Sequence, residues 1–173
     1  IANTLKKISD HGVQVFFQHG NRDFLLGDTY AARCGMQLLP ELYVIEHACR
    51  RYLLAHGDQF CTQDAAYQQF RELVRNPEWQ RDFLAKPLTE RRAIAAQLRA
   101  KSKEANSIKA EDIMDVTPSE IETALVANQC GSLIHGHTHR PARHTLVLPD
   151  GSTAERIVLS DWEESYRFFQ LAQ

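Results

Sequence analysis

The chain has 173 residues and a formal net charge of −2, and its hydrophobic and charged fractions of 43% and 24% are typical of a globular domain. The near-neutral charge argues against nucleic-acid binding, which usually goes with a strongly basic balance. No apolar run is long enough to span a bilayer, so any membrane association is expected to be peripheral. Four cysteines without zinc-ribbon or redox spacing indicate reduced thiols in a cytosolic protein: Cys34, Cys49, Cys61 and Cys130.

The first third of the chain predicts strands and short helices in alternation. Ile1, Leu5 and Ile8 recur at helical spacing before Gly12. An apolar, β-branched and aromatic run then predicts a buried strand. In chain order we expect a helix over residues 1–11, a strand over 13–18, a helix over 27–35, and strands over 36–39, 42–45 and 51–55.

From residue 62 to about residue 110 the pattern becomes helical and basic. Pro77 and Pro87 divide this stretch into separate helices. Another helix is expected over 118–128, with Thr117 as its N-cap in a capping-box pattern. Short strands are expected over 132–135, 145–148, 156–159 and 166–171. The prediction is one domain over residues 1–173 with a helical insertion at 64–110.

Three polar segments follow predicted strands: Gly-Asn-Arg-Asp at 20–23, His-Gly-Asp at 56–58 and Gly-His-Thr-His at 136–139. Open α/β sheets bind ligands at the carboxyl ends of their strands. On an extended segment two histidines two positions apart would point the same way, and imidazole with amide oxygen suits Mn²⁺, Zn²⁺ or Fe²⁺. If the histidine pair is considered by itself, it can also be explained as part of a polar loop. If His56 is considered by itself, it can also be explained as a structural residue. The combination predicts four metal ligands: Asn21, His56, His137 and His139.

Together the motifs resemble those of the calcineurin-like metallophosphoesterases. The closer resemblance is to the UDP-2,3-diacylglucosamine pyrophosphatases of lipid A biosynthesis, and it runs through nearly the whole chain. It is carried by HGNRDFL at 19–25, HGD at 56–58 with Cys61, Thr62 and Asp64, SKEAN at 102–106 with Lys109, IMDV at 113–116 and LIHGHTHRP at 133–141.

The resemblance implies an α/β fold, a two-sheet βαβ sandwich with a helical lid over 64–110, and a centre of two metals, most simply Mn²⁺. It implies hydrolysis of a lipid-linked UDP-sugar, UDP-2,3-diacylglucosamine, to UMP and 2,3-diacylglucosamine 1-phosphate. The resemblance further implies a protein that acts from the cytoplasm, bound peripherally to the inner membrane of a Gram-negative bacterium. It leaves the oligomeric state unknown. Arg22 and His137 would be catalytic. Substrate contacts would be Asn21, Arg22, Asp64, Ser102, Asn106, Lys109 and His137.

One feature of the family pattern is not in this sequence. The family begins with a strand ending in Asp-x-His, followed by a Gly-Asp motif whose aspartate bridges the metals. Ile1 is not a methionine and falls where the family has already passed both motifs. We therefore expect that an N-terminal portion is missing, and that these residues alone cannot form the full two-metal site.

Arg22 stands where many members of the broader superfamily have a histidine. A guanidinium stays charged and cannot serve as a general acid, but it can fork onto phosphate oxygens. Because pyrophosphate cleavage releases a stable phosphate anion, it needs no strong acid, so Arg22 favours that reaction over cleavage of an alkyl phosphoester. The alternative is a surface arginine paired with Asp23.

The insertion also allows two interpretations. Its charges are consistent with an ordinary solvated helix face, or with a lid that holds acyl chains and the phosphosugar and contacts anionic lipid. The resemblance favours the lid. Two other functions remain open: a related metallophosphoesterase acting on a soluble nucleotide, and a non-catalytic scaffold with the same fold.

Overall fold

The structure is a computed structural model that describes residues 1–108, 113, 115–161 and 168–171, without the side chains of residues 103–108. Two compact units can be distinguished. Residues 1–60 and 116–173 form the first, here called the sheet unit, and residues 61–115 form the second, here called the helical unit. In the described residues every strand belongs to the sheet unit.

The sheet unit begins with two helices and a pair of parallel strands. Its elements are α1 (Ala2–Asp10), β1 (Val15–Gln18), α2 (Asp28–Cys34) and β2 (Met36–Leu39). Gly35 ends α2 with a φ of 68°, a conformation that glycine adopts at low cost, and the chain enters β2 directly. Ala31, Cys34 and Met36 form the buried centre of this part.

A five-stranded mixed sheet makes up the rest of the unit. Its strands are β3 (Leu42–His47), β4 (Arg50–Ala55), β5 (Ser132–His135), β6 (Ala142–Val147) and β7 (Thr153–Val158). They lie in the order β3-β4-β5-β7-β6. The central strands β4, β5 and β7 run parallel, and each outer strand pairs with its neighbour in an antiparallel hairpin. The segments that follow the three parallel strands therefore share one edge of the sheet.

The helical unit contains three helices: α3 (Ala65–Arg75), α4 (Pro77–Ala85) and α5 (Leu88–Ile108). Asn76 caps α4 by accepting hydrogen bonds from the backbone N–H groups of Glu78 and Trp79, and Pro77 occupies the first helical position, where its missing N–H costs nothing. Trp79 and Phe83 stack at 5.0 Å between ring centroids. The predicted division of this segment at Pro77 and Pro87 thus corresponds to real helix boundaries.

The last helix, α6 (Pro118–Ala127), belongs to the sheet unit and packs on β5. It buries Ile121 and Leu125 almost completely. The predicted capping box at its start is wrong, because the side chain of Thr117 makes no cap hydrogen bond. The backbone N–H of Thr117 instead donates to the Phe60 carbonyl at 2.8 Å, and this bond joins the two points where the chain leaves and re-enters the sheet unit.

An α/β class with two sheets is confirmed, and most predicted elements are found within two residues of their expected limits. One strand expected near the end is not found in its described part: residues 168–171 are irregular, while residues 166 and 167 lie outside the described residues. Phe169 and Leu171 nevertheless pack on the Tyr52, Ile134 and Ile157 face of the sheet. No described helix combines the length and apolarity needed to cross a bilayer.

Candidate metal centre

The ends of β4 and β5 are joined directly at one edge of the sheet. The backbone N–H of Gly136 donates to the His56 carbonyl at 3.0 Å, one residue beyond each strand. This bond extends the parallel pairing into the two polar segments at 56–58 and 136–139. The two histidines that the sequence placed at separate strand ends are therefore neighbours.

The rings of His56 and His137 lie 5.1 Å apart between centroids and are inclined at 66°. Gly20 lies against the ring of His56, since a Cβ atom at Gly20 would be 2.9 Å from Cε1 of that ring. Asn21 follows immediately and is half-buried. The structure thus brings His56 and His137 together with the backbone that carries Asn21; contact of the Asn21 side chain with a metal remains a prediction.

His137 is held in its neutral form. Burial lowers its pKa to about 4, and the neighbouring His56 adds to the lowering, while the carboxylate of Asp58 opposes it. Arg22 and His139 contribute in the lowering direction, so all four groups are electrostatically close to this ring. A neutral imidazole has a free lone pair at neutral pH, which is the state that binds a metal.

The backbone around His137 differs from the extended segment expected from the sequence. His137 and His139 have φ values of 64° and 55°, and the N–H of Thr138 donates to the Gly136 carbonyl at 2.7 Å. This bond closes a three-residue turn centred on His137. The expectation that this segment is extended is therefore wrong, and the convergence of the two rings on one site stays a prediction. Backbone strain of this kind is typical of functional sites, where the surrounding structure maintains it.

The ring of His139 has a partner that the sequence reasoning missed. Its Nδ1 lies 3.4 Å from Oδ2 of Asp161, and both side chains are partly exposed. Asp161 follows β7, the third parallel strand. The sequence predicts a strand over 156–159 but not its parallel pairing with β5, which is the signal that would have placed Asp161 at the same edge.

The segment at 20–23 is folded back on itself by Asp23. Its Oδ1 accepts a hydrogen bond from the Gly20 N–H at 2.6 Å, which fixes the turn carrying Asn21 and Arg22. Between the described side chains of Arg22 and Asp23 there is no ion pair, so the alternative role for Arg22 is not what is seen. Arg22 is exposed, and its charge acts on His137.

Two further polar groups are buried behind the histidines. Asp58 and His135 are each only 1% exposed. Gly57 has a φ of 114°, and a Cβ atom there would be 2.7 Å from Nδ1 of His135. Glycine is therefore required at residue 57 on both conformational and steric grounds. Asp58 is thus a buried carboxylate that acts electrostatically on His137, and His135 is a buried imidazole packed against Gly57.

The donor chemistry fits a divalent cation in part. His56 and His137 supply two adjacent imidazoles, and the third donor expected for the same ion is the Asn21 amide. In the described part of the chain, no three His, Cys, Asp or Glu side chains are grouped closely enough to hold a metal. The residues described therefore suit part of the ligand set of a metal site.

The predicted substrate contacts of the helical unit have different outcomes. Asp64 is the N-cap of α3, and its Oδ1 accepts from the Tyr67 N–H at 3.1 Å, so it has a structural role. Ser102 is an exposed residue of α5. Asn106 also lies in α5, but its side chain is outside the described part, and Lys109 lies outside the described residues altogether.

Adjacent histidines at the carboxyl edge of parallel strands in a two-sheet α/β fold are the arrangement that the resemblance to metallophosphoesterases implied. No protein-family model matches the chain. It is 55% identical over 162 residues to the UDP-2,3-diacylglucosamine hydrolase of Cellvibrio japonicus, which covers 94% of this chain and 67% of that protein. It is 50% identical to that of Serratia proteamaculans with the same coverage, and 52% identical to that of Bordetella pertussis over 87% of this chain and 58% of that protein. The chain belongs to the UDP-2,3-diacylglucosamine hydrolase family.

Proposed function

We propose that the protein hydrolyses the pyrophosphate bond of UDP-2,3-diacylglucosamine and releases UMP and 2,3-diacylglucosamine 1-phosphate for lipid A synthesis. The curated relatives at 47–55% identity carry the name of this activity. The observation that carries the proposal is the meeting of the segments at 20–23, 56–58 and 136–139 around the adjacent rings of His56 and His137.

We propose that the reaction requires metal, in the form of two Mn²⁺ ions. When bound, divalent ions of this kind polarise phosphate oxygens and activate water. Asn21, His56 and His137 would hold one ion and His139 the other. The matched relatives extend beyond the aligned region, which covers 67% of the Cellvibrio japonicus protein.

The residues of this chain would contribute binding and charge. Arg22 is exposed beside His137, where its guanidinium can form two parallel hydrogen bonds to phosphate oxygens. It would stabilise the negative charge that develops on the phosphates. The neutral state of His137 keeps its lone pair available at neutral pH. Neither residue has to protonate the leaving group, because that group is a phosphate anion.

The helical unit is proposed as a lid for the lipid part of the substrate. Exposed apolar side chains on its helices, Leu73, Leu84 and Leu88, offer contact to acyl chains or to a membrane surface. Ser102, Asn106 and Lys109 follow i, i+4, i+7 spacing and would share one stripe of a helix. We propose a cytoplasmic protein that binds peripherally to the inner membrane of a Gram-negative bacterium.

The test is hydrolysis of UDP-2,3-diacylglucosamine by the full-length protein in ¹⁸O-labelled water with Mn²⁺. We expect label in UMP, which corresponds to attack at the α-phosphorus, and loss of turnover in His137→Ala and after treatment with a chelator. Label in 2,3-diacylglucosamine 1-phosphate would reverse the assigned point of attack. Turnover of a soluble nucleotide with none of the lipid substrate would replace the proposed substrate class, and no hydrolysis of either would favour a non-catalytic scaffold.

A further inference from the structure

Asp161 reaches the metal edge through the pairing of two parallel strands. Strands β5 and β7 are in register up to His135 and Val158. One residue later the N–H of Leu159 donates to the His135 carbonyl at 2.7 Å, so the pairing continues past the end of β7. The residues that follow are thereby placed beside the segment at 136–139. The position of Asp161 is a consequence of strand register.

The contact between Asp161 and His139 adds little to stability. Their side chains are 38% and 52% exposed, and partly exposed contacts of this kind contribute little to folding. His139 nevertheless has a left-handed backbone, with a φ of 55°, which is unfavourable for a residue other than glycine. A strained residue with a weak polar contact is better explained by the orientation of its ring than by its effect on folding.

The chemistry of imidazole gives this orientation a consequence. A neutral ring carries its proton on one nitrogen and a lone pair on the other. A hydrogen-bond acceptor beside one nitrogen favours the tautomer in which that nitrogen carries the proton. Asp161 faces Nδ1, 3.4 Å away. A proton on Nδ1 would leave the lone pair on Nε2, directed away from Asp161.

We propose that Asp161 is a positioning residue that fixes the tautomer and the orientation of His139, so that Nε2 is offered to a divalent cation. This inference rests on the proposed function, in which His139 is a ligand of the second ion. Carboxylates in this place raise the basicity of a ligating histidine, and their removal typically lowers metal affinity roughly 10–100-fold. Asp161 itself does not contact the ion or the substrate.

The first measurement is the tautomer of His139 in the metal-free full-length protein, read by long-range ¹H–¹⁵N correlation at pH 8. We expect the Nδ1–H form in the wild type and in Asp161→Glu. In Asp161→Ala we expect a shift toward the Nε2–H form that histidine favours in water. A role confined to folding would leave the tautomer unchanged, and that result would overturn the inference.

The second measurement is Mn²⁺ affinity by EPR titration of the same proteins. Asp161→Ala should lower the Mn²⁺ affinity of one of the two sites by roughly 10–100-fold. Asp161→Glu should restore part of that affinity. The matched control is Glu155→Gln, which removes a carboxylate from β7. The carboxylate of Glu155 lies 3.7 Å from the guanidinium of Arg143, so its loss should leave the Mn²⁺ affinity unchanged. If Asp161→Ala does not fold, Asp161→Leu, which has a similar branched shape and no acceptor, replaces it, and wild-type affinity in that variant would overturn the inference.

Failure of the inference and failure of the proposed function are distinguishable. If the wild type hydrolyses UDP-2,3-diacylglucosamine with Mn²⁺ while Asp161→Ala binds Mn²⁺ as tightly as the wild type, the role of Asp161 is wrong and the function stands. If the wild type binds no Mn²⁺ and hydrolyses nothing, the proposed function fails, and the role of Asp161 fails with it.

Discussion

Gly20 lies so close to the imidazole of His56 that any larger residue must displace one of them. A Cβ atom at Gly20 would meet Cε1, Nδ1 and Nε2 of that ring at 2.9, 3.1 and 3.2 Å. The ring is therefore seated on the backbone of the residue just before Asn21. This contact connects the strand-end segments after β1 and β4, and it makes the glycine as important to the site as the proposed ligands.

Gly20→Ala should separate site geometry from folding. We expect His56 to be displaced and activity to fall on the order of 100-fold, since a displacement of about 1 Å can have that effect. Thermal unfolding should change much less than activity. The control is Gly131→Ala, because a Cβ atom at Gly131 has nothing within 4 Å and its φ lies outside the left-handed range. Equal activity of the two variants would contradict the proposed role of His56.

Substitution of Arg22 tests whether a forked charge is needed on the phosphates. Removing one donor to developing charge typically costs about 100–1,000-fold in kcat. We expect that loss in Arg22→Ala, and only partial recovery in Arg22→Lys, because a lysine cannot make two parallel hydrogen bonds. Arg33→Ala is the matched control, as Arg33 is an exposed arginine in the last turn of α2. The kcat values of the variants are measured by steady-state kinetics with UDP-2,3-diacylglucosamine. A wild-type kcat in Arg22→Ala would mean that Arg22 does not stabilise the phosphates.

The turn between β3 and β4 predicts a stabilising substitution. Ala48 and Cys49 have φ values of 48° and 60° between the paired residues His47 and Arg50. Two-residue hairpin turns with positive φ at both positions favour Asn-Gly. The double variant Ala48→Asn, Cys49→Gly should raise the free energy of unfolding by about 1–2 kcal/mol, measured by urea denaturation.

The reverse substitution is available in the other hairpin. Gly151 has a φ of 83° between β6 and β7, with open space where a Cβ atom would stand. Gly151→Ala should therefore lower the free energy of unfolding by about 1 kcal/mol through backbone strain alone. If the two hairpin variants shift stability in the same direction, backbone conformation is not the controlling factor.

Thiol labelling tests burial and acidity together. Cys49 is exposed, whereas Cys34, Cys61 and Cys130 are buried, and these four described cysteines form no disulfide. Burial raises the pKa of the Cys130 thiol, with Arg51 partly offsetting the effect. The thiolate is the reactive form, so a raised pKa lowers the reactive fraction at any pH below it. At pH 8 iodoacetamide should modify Cys49 first, and Cys49→Ser should lose that fast phase in mass spectrometry. Fast labelling of Cys130 would contradict its burial.

The predicted limits of an element are most accurate where a glycine or a proline stands next to it. Strand β2 is predicted over 36–39 with Pro40 as its end, and it is found at those limits directly after Gly35. Strand β5 is predicted over 132–135 ahead of Gly136, and it is also found at those limits. Glycine and proline limit the backbone locally, so their effect can be inferred without knowing the fold.

The parts of the site that depend on tertiary contacts were not predictable. Periodicity placed His137 and His139 on an extended segment, but the bond from Thr138 to Gly136 turns the chain. The pairing of β7 with β5 could not be read from the chain order either, because β6 lies between them in sequence. Asp161 was missed for that reason. The position of the helical unit's predicted contacts, Ser102 among them, stays a prediction.

The hydrogen bond from Thr117 to Phe60 has an evolutionary consequence. It closes the base of the excursion that contains the helical unit, so the strands carrying the histidines keep their register whatever the excursion contains. The entropy cost of a closed loop grows only slowly with its length. Helices within residues 61–115 could therefore be lengthened, shortened or exchanged between lineages without disturbing the chemistry at the sheet edge. In the proposed function, where the helical unit holds the lipid part of the substrate, substrate range and catalytic machinery would be able to diversify at different rates within the same chain.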